Sequence, residues 1–467
     1  MDDLSTPPRI AESGFCSAHR WIKSYEQELQ SSGTATEDLR IVISDPAGHC
    51  KAVTCRISSD PVSDESAATF RRVERTVKTL LWLHGGCEIW LQDRADLVKL
   101  LQHCYGSQGS RAFDVRFLAG QVYHQPLRFH LGAPSMPPQK ACIPSAVREK
   151  LDGCRIGYDL GGSDRKCAAL IDGKVVYSEE IPWDPYHQPN PEYHISGVRD
   201  CLRRAAAHLP RVDAIGGSSA GVMIDHVPQV ASLFRGLSEH QMETEVRPFF
   251  RNLSDEWGGV PVTLLNDGDI AALAGAQWLG VNGVLGIAMG TSLAAGYVDP
   301  QGQVGGQLNE LAFCPVDWRT DAAVDEWSGD VGCGVQYFSQ QSVLRLAGEL
   351  GIGLPEGVDA AEGLRTVQDL AKKGNTLALS IFEQIGIFLG ETLVYWRQYY
   401  TFEHLVLMGR VVSGAAGACI VRRAQQVLDE VLDPAEPPLT IHVPDETFRR
   451  HGQAIVAASV PHLKITT

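Results

Sequence analysis

The stretch that most restricts how this chain can fold runs from Arg155 to Glu180, RIGYDLGGSDRKCAALIDGKVVYSEE. Ile156 and Tyr158 alternate with small or polar residues, Asp159-Leu160-Gly161-Gly162-Ser163 forms a tight turn, and Cys167 to Ile171 returns. Asp172-Gly173 is a strong hairpin signal, and Lys174 to Ile181 makes a third antiparallel strand. A Gly-Gly turn lets backbone N–H groups approach an anion closely, because neither residue carries a Cβ. Ser163 adds a hydroxyl, and Asp159, at the end of the first strand, is placed to hold a hydrated Mg²⁺ beside that anion. Taken alone, the same residues also describe an ordinary hairpin with a surface aspartate.

With 467 residues the chain exceeds one typical core, so two or three domains are expected. A net charge of −15 argues against nucleic acid and anionic membranes as partners. No apolar run is read as reaching the length of a bilayer span, and the N-terminus MDDLSTPPRI is polar and acidic, unlike a signal peptide. The 12 cysteines contain no CxxC pair and read as thiols of a reducing compartment, so a cytoplasmic location is expected.

Ahead of Arg155, a helix is expected from Ser17 to Gln30, strands over Leu39–Ser44 and Ala52–Ile57, and a helix carrying Phe70, Val73, Val77, Leu80 and Leu81 that Gly85-Gly86 stops. Cys87 to Leu91 reads as a strand, Asp93 as the cap of a helix with Leu97, Val98, Leu101 and Cys104, and Phe113, Val115 and Phe117 as one more strand. This is an α/β unit of order ββαβαβ without basic patches. Pro134, Pro137, Pro138 and Pro144 mark a linker.

Past Glu180, Gly217 to Gly221 (GSSAG) fits the nucleophile elbow of serine hydrolases, with Ser219 as the nucleophile. That elbow needs a long helix directly behind it, and Val222 to Pro228 reads as extended. Pro261 to Leu265 is a short buried strand, with Asn266-Asp267-Gly268-Asp269 at its carboxyl end, where open α/β sheets place ligands. Either aspartate could instead simply cap the small-residue helix that follows. Gly290-Thr291-Ser292 turns between two Gly-rich strands, a second loop able to hold a phosphate. Leu405 to Arg410 is a strand entering a small-residue loop, Val411 to Gly417, before a long helix.

In this order the motifs resemble the sugar kinase, actin and hexokinase superfamily, and most closely the ROK-family sugar kinases, from about residue 155 to 463. DLGGS resembles their first phosphate loop, PVTLLNDGDIAALAG their PV-x-x-x-NDA-x-x-A-x-x-G stretch, GVLGIAMGTSLAAGYVD their second phosphate loop, GGQLNELAF their G-E-[IL]-G-H segment, and LVLMGRVVSGAAG their adenosine loop. The resemblance implies a two-lobed actin/hexokinase-like (ribonuclease H-like) α/β fold with an additional N-terminal α/β domain. The expected division is 1–131 for that domain, 132–150 for a Pro-rich linker, 151–267 with the closing helix 444–463 for the first lobe, and 268–443 for the second.

The implied activity transfers the γ-phosphoryl group of ATP to a hydroxyl of a hexose or related sugar, with Asp267 as general base. Asn266, Glu310 and Gly221 would contact the sugar. Gly161, Gly162, Ser163, Lys166, Gly290, Thr291, Gly409 and Gly414 would hold ATP, and Asp159 would hold Mg²⁺ through water. Family members often carry zinc on one histidine and three cysteines. Phe313 stands at the histidine and only Cys333 of the cysteines is kept, so no zinc is expected. Ser292 replaces the last glycine of the second loop. Two alternatives remain: a catalytically silent sugar- or nucleotide-binding regulator of the same fold, and the Ser219 hydrolase. The N-terminal domain is expected to fold by itself, to support packing or a homodimer, and to be dispensable for ATP binding.

Overall fold

A computed structural model describes residues 14–134, 151–354, 357, 359–444 and 446–461. The chain divides into two compact units, one of Met1–Ala141, Ile287–Ala295 and Gly306–Val443, the other of Cys142–Gly286, Gly296–Gly305 and Pro444–Thr467. Most of the expected linker, 135–150, lies outside the described residues.

In the first unit, β1 (Thr36–Ser44), β2 (Cys50–Ser58), β3 (Glu88–Leu91) and β4 (Arg128–Leu131) form a sheet of order β2-β1-β3-β4. Helix Ala68–Leu83 packs on it, and helix Ala18–Ser32 starts at Ser17, whose hydroxyl accepts from Arg20 N–H. Two expectations for this region are corrected. Residues Phe113 to Phe117 are helical, in Ala112–Val115 and the wide turn Arg116–Val122. Phe113 and Phe117 are four apart, and both rings pack on Trp82 and Phe313, which an extended strand could not arrange. Asp93 does not cap the next helix: Arg94 occupies that position, without a side-chain cap, and its guanidinium binds Asp96 and Glu37 instead.

The N-terminal residues do not stand apart, as expected from the sequence, but form one unit with 306–443. Arg75, Lys78 and Arg111 meet Glu74, Asp114 and Asp330 in a buried network: Lys78 Nζ lies 2.7 Å from Asp330 and 3.2 Å from Asp114, and Arg75 and Arg111 reach Asp330 at 2.8 and 2.6 Å. Burial opposes ionisation of Asp330, yet Lys78, Arg75 and Arg111 hold its carboxyl well below the usual range.

The second unit contains β5 (Cys154–Leu160), β6 (Asp164–Ile171), β7 (Lys174–Pro182), β8 (Ala214–Ser219), the hairpin of β9 (Val222–Ile224) with β10 (Val227–Val230), and β11 (Val262–Asn266). Its main sheet has the order β11-β8-β5-β6-β7, with β5, β8 and β11 parallel and β5, β6 and β7 antiparallel. Gly157 and Gly216 are register partners, and helix Glu446–Ser459 rests on them. A Cβ at Gly157 would meet Ala454 O at 1.8 Å and one at Gly216 would meet Ala457 O at 1.7 Å, so only glycine admits this helix. On the opposite face Gly217 leaves room for the Tyr158 ring.

β12 (Val284–Met289), β13 (Leu293–Val298), β14 (His404–Met408) and β15 (Thr440–His442) form a further sheet of order β13-β12-β14-β15. In the first unit, helix Thr376–Trp396 is long and apolar enough to cross a membrane, which corrects the reading that no segment reaches that length. Glu383, Gln384 and Glu391 interrupt its apolar run in the sequence. Its residues are mostly buried, and Gly386 and Gly390 bring it against helix Gly414–Val431.

A protein truncated to begin at Ala141 lacks all three cations facing Asp330. Leaving that charge unpaired costs about 3–5 kcal/mol, so we expect the truncated chain not to unfold as one cooperative species. A single urea transition with the full-length midpoint would contradict this.

Candidate functional site

Because β5, β8 and β11 run parallel, their carboxyl ends share one edge. The register sets Asp159 beside Ser218, Leu160 beside Ser219 and Ser219 beside Asn266. Asp267 follows as the first residue of helix Asp267–Leu279, and on the other side of β5 Asp159 faces Lys166. Asp159 is 5% exposed. Its pKa is raised to about 6, chiefly by burial, with the charges of Asp267 and Asp164 adding to the rise and the Ser218 hydroxyl and Lys166 opposing it. Burial also raises Asp267, against a hydrogen bond of 2.9 Å that its Oδ1 accepts from Gly268 N–H.

Neither aspartate caps the helix. Asn266 does so, its Oδ1 accepting from Gly268 N–H at 2.7 Å while its Nδ2 donates to Gly221 O at 2.7 Å. Both ends of the amide are therefore engaged within the fold, and a ligand would meet its remaining lone pair and N–H. Gly221 has φ +110°, and a Cβ there would meet Val230 O at 2.2 Å. Asp269 is buried and accepts from Tyr297 N–H at 3.4 Å.

In the turn after β5, Gly161 N–H donates to Asp164 O at 2.9 Å and Trp183 Nε1 donates to Gly161 O at 2.7 Å. A Cβ on Gly162 would strike the Tyr186 hydroxyl. Ser163 donates to Asp164, and Lys166 Nζ lies 2.5 Å from Asp164 and 3.8 Å from Asp159. The ammonium thus bridges two carboxylates at the mouth of the turn. Ser218 and Asp164 escape sequence reasoning. Aligning the GGSS of β8 with the GYDL of β5 is the signal that would have found Ser218.

The first unit holds the remaining candidates. Thr291 and Ser292 are exposed, and Gly290 is fixed by its N–H to Ser292 O at 2.9 Å and by Gln340 N–H to its carbonyl at 2.9 Å. Gly409 has φ +99°, and a Cβ there would lie 2.2 Å from Met289 O. Gly414, φ +62°, opens helix Gly414–Val431 with free space where a Cβ would be. Glu310 N–H donates to Trp82 O at 2.9 Å.

Ser219 does not form a hydrolase elbow. It ends a strand that passes into the hairpin β9–β10, and its hydroxyl donates to Ala220 O at 3.3 Å rather than to a histidine. At the positions that offered no zinc ligand set, the Phe313 ring packs tilted on Trp82 with ring centres 4.4 Å apart, and the Cys333 thiol pKa is raised to about 12, chiefly by burial, with Lys78 acting in the opposite direction.

No protein-family model matches the chain, and no curated protein resembles it in sequence. Solved structures do resemble it in fold. A ROK hexokinase from Thermus thermophilus superposes with a TM-score of 0.52 and 20% identity over 66% of this chain and 97% of the other. The chain has the ROK fold. A ROK-family transcriptional regulator, described as a homolog of the E. coli MLC protein, matches at TM-score 0.50 and 19% identity over 67% of this chain and 79% of its own. About a third of the chain lies outside either match, and the fold is common to a kinase and a regulator.

The site makes an electrostatic prediction independent of any ligand. In a carbon-13 NMR titration the Asp159 carboxyl should titrate near 6, and in Asp267→Asn it should move downwards, because one neighbouring charge is gone. Burial remains, so it should stay above 3.8. An unmoved titration would show that the two carboxylates do not share a field.

Proposed function

We propose that this protein is an ATP-dependent sugar kinase. The observation that carries the reading is the pair Asp159 and Asp267, brought to one sheet edge by register, with pKa values raised by burial and Asp267 raising Asp159 in turn. A carboxylate whose pKa is raised is a better proton acceptor than one at the ordinary value. Asp267 accepts the proton of a sugar hydroxyl as that oxygen bonds to the γ-phosphorus of ATP. The bond from phosphorus to the bridging oxygen breaks, and ADP leaves. Asn266, Gly221 and Glu310 orient the sugar.

The turn Gly161–Ser163 offers a phosphate the N–H groups of Gly162 and Ser163 and a hydroxyl, with Lys166 as a cation nearby, and the turn Gly290–Thr291 offers the N–H and hydroxyl of Thr291. Gly414 leaves the backbone bare for a flat base, and Gly409 lets its loop pass close to the backbone of Met289. The donors at the edge fit a hydrated Mg²⁺, since Asp159 is a buried carboxylate whose charge is disfavoured by Asp267 and Asp164, and a divalent cation relieves that repulsion. When bound, Mg²⁺ supplies charge neutralisation on the phosphates. The residues around Cys333 do not fit zinc: Phe313 offers no ligand and the Lys78 ammonium lies beside the thiol.

The test is ATP consumption over a panel of hexoses, amino sugars and polyols. Asp267→Asn should lower turnover by roughly 10²–10⁴-fold with ATP binding nearly unchanged. A silent regulator would bind sugar without consuming ATP, and an Asp267→Asn protein with full turnover would remove Asp267 from the chemistry.

A further inference from the structure

Three consecutive amides of the segment that carries Glu310 are fastened to the end of one N-terminal helix. Glu310 N–H donates to Trp82 O at 2.9 Å, Asn309 N–H to Leu83 O at 2.9 Å and Leu308 N–H to His84 O at 3.3 Å. The acceptors are the terminal carbonyls of helix Ala68–Leu83 and of its cap residue His84. Helix-end carbonyls have no partner within their own helix and must find one elsewhere. The segment is bent to suit. Asn309 adopts φ +54°, a left-handed conformation for a residue other than glycine, and its Oδ1 accepts from Tyr400 OH at 2.8 Å. Three residues past Glu310, Phe313 packs on the Trp82 ring at 4.4 Å, and Trp82 Nε1 donates to Asp114, a member of the buried ion network. The backbone of Glu310 is thus set by the helix end, and the helix is set by buried charge.

We propose that the last turn of helix Ala68–Leu83 is the positioning element for Glu310, so that the N-terminal region governs sugar affinity without contributing a group that touches the reacting atoms. Trp82 is its central positioning residue. The inference rests on the reading of Glu310 as a sugar contact. It predicts a division of effects: disturbing the helix end moves sugar affinity and leaves the nucleotide and the chemical step alone.

The variants are Trp82→Ala, Trp82→Phe, Phe313→Leu and, as a control, Leu101→Ala, which removes a fully buried side chain elsewhere in the N-terminal region. Phe313→Leu loosens the same contact from the loop side, in case Trp82→Ala does not fold. Trp82→Ala or Phe313→Leu should raise KM for sugar roughly tenfold, with KM for ATP and kcat within about twofold. Hydrogen exchange at the amides of Leu308, Asn309 and Glu310 should quicken, while exchange in β5 stays unchanged. Trp82→Phe, which keeps a ring, should recover most of the affinity. Leu101→Ala should lose stability with KM unchanged.

Unchanged sugar KM and unchanged exchange at 308–310 would overturn the proposal, as would an equal rise of KM in Leu101→Ala. If the wild-type protein phosphorylates no sugar, the kinase reading fails first. The exchange data, with sugar binding followed by calorimetry, then decide the positioning role separately: faster exchange and weaker sugar binding in Trp82→Ala support it, and unchanged exchange or unchanged sugar binding overturns it.

Discussion

Three cationic and three anionic side chains, Arg75, Lys78 and Arg111 with Glu74, Asp114 and Asp330, are buried together in the first unit. Burying charge is costly unless every charge is paired and hydrogen-bonded. The group meets that condition by balance: Asp330 alone touches all three cations. Burial works against Glu74 and Asp330, but the surrounding cations hold both carboxyls below their ordinary values, and the carboxylates raise Lys78 in return. Such a group adds less to stability than an apolar core of the same volume, but its geometry is demanding. It fixes the register of helix Ala68–Leu83 against residues 111–117 and against the loop bearing Asp330, and with it the contact of the Trp82 and Phe313 rings.

At the sheet edge of the second unit the logic is reversed. The Asp159 and Asp267 charges are not fully matched, since Lys166 lies closer to Asp164 than to Asp159. Asp159 therefore binds protons more readily in the folded state than in the unfolded chain, whose carboxyl titrates near 3.9. Stability falls as pH rises from about 4 to about 6, because in that window the folded state must release a proton to leave a buried charge. That is strain held at one point while the sheet around it is well packed. It gives the edge an appetite for a cation or for a proton.

What could be read in the sequence follows from the range of the interaction involved. The hairpins between Arg155 and Glu180 are local, and alternation with Asp172-Gly173 is enough to place them. The Asn266-Asp267 corner is local too, although the sequence reading offered only Asp267 or Asp269 as a cap and the structure gives that task to Asn266. Helix Ala68–Leu83 was visible from its apolar spacing. Its charged residues look like a solvated face, and they are buried because partners at 111, 114 and 330 come to meet them. Residues 113–117 alternate in hydrophobicity and read as a strand. The rings at 113 and 117 are drawn to one side by Trp82 and Phe313, a tertiary demand that no local pattern reports. Gly157 and Gly216 are likewise unremarkable as letters, since their reason is a helix from the far end of the chain.

The ion network also bears on the segment from Cys314 to Cys333. Burial raises both thiols, and the Lys78 ammonium acts on each in the opposite direction. A positive centre beside a pair of buried thiols can come from a metal or from a lysine. A metal demands several correctly placed ligands and is exchangeable, whereas a lysine needs one side chain, neutralised here by Asp114 and Asp330, and cannot be withdrawn by a chelator. The lysine, however, must arrive on a helix, and that helix must be held by its own sheet. The region that has no counterpart in the motif pattern from residue 155 onwards is therefore the region that delivers this cation. Phe313 is the apolar partner of Trp82, one turn of helix beyond Lys78, so the same helix brings both the ring and the ammonium to this loop.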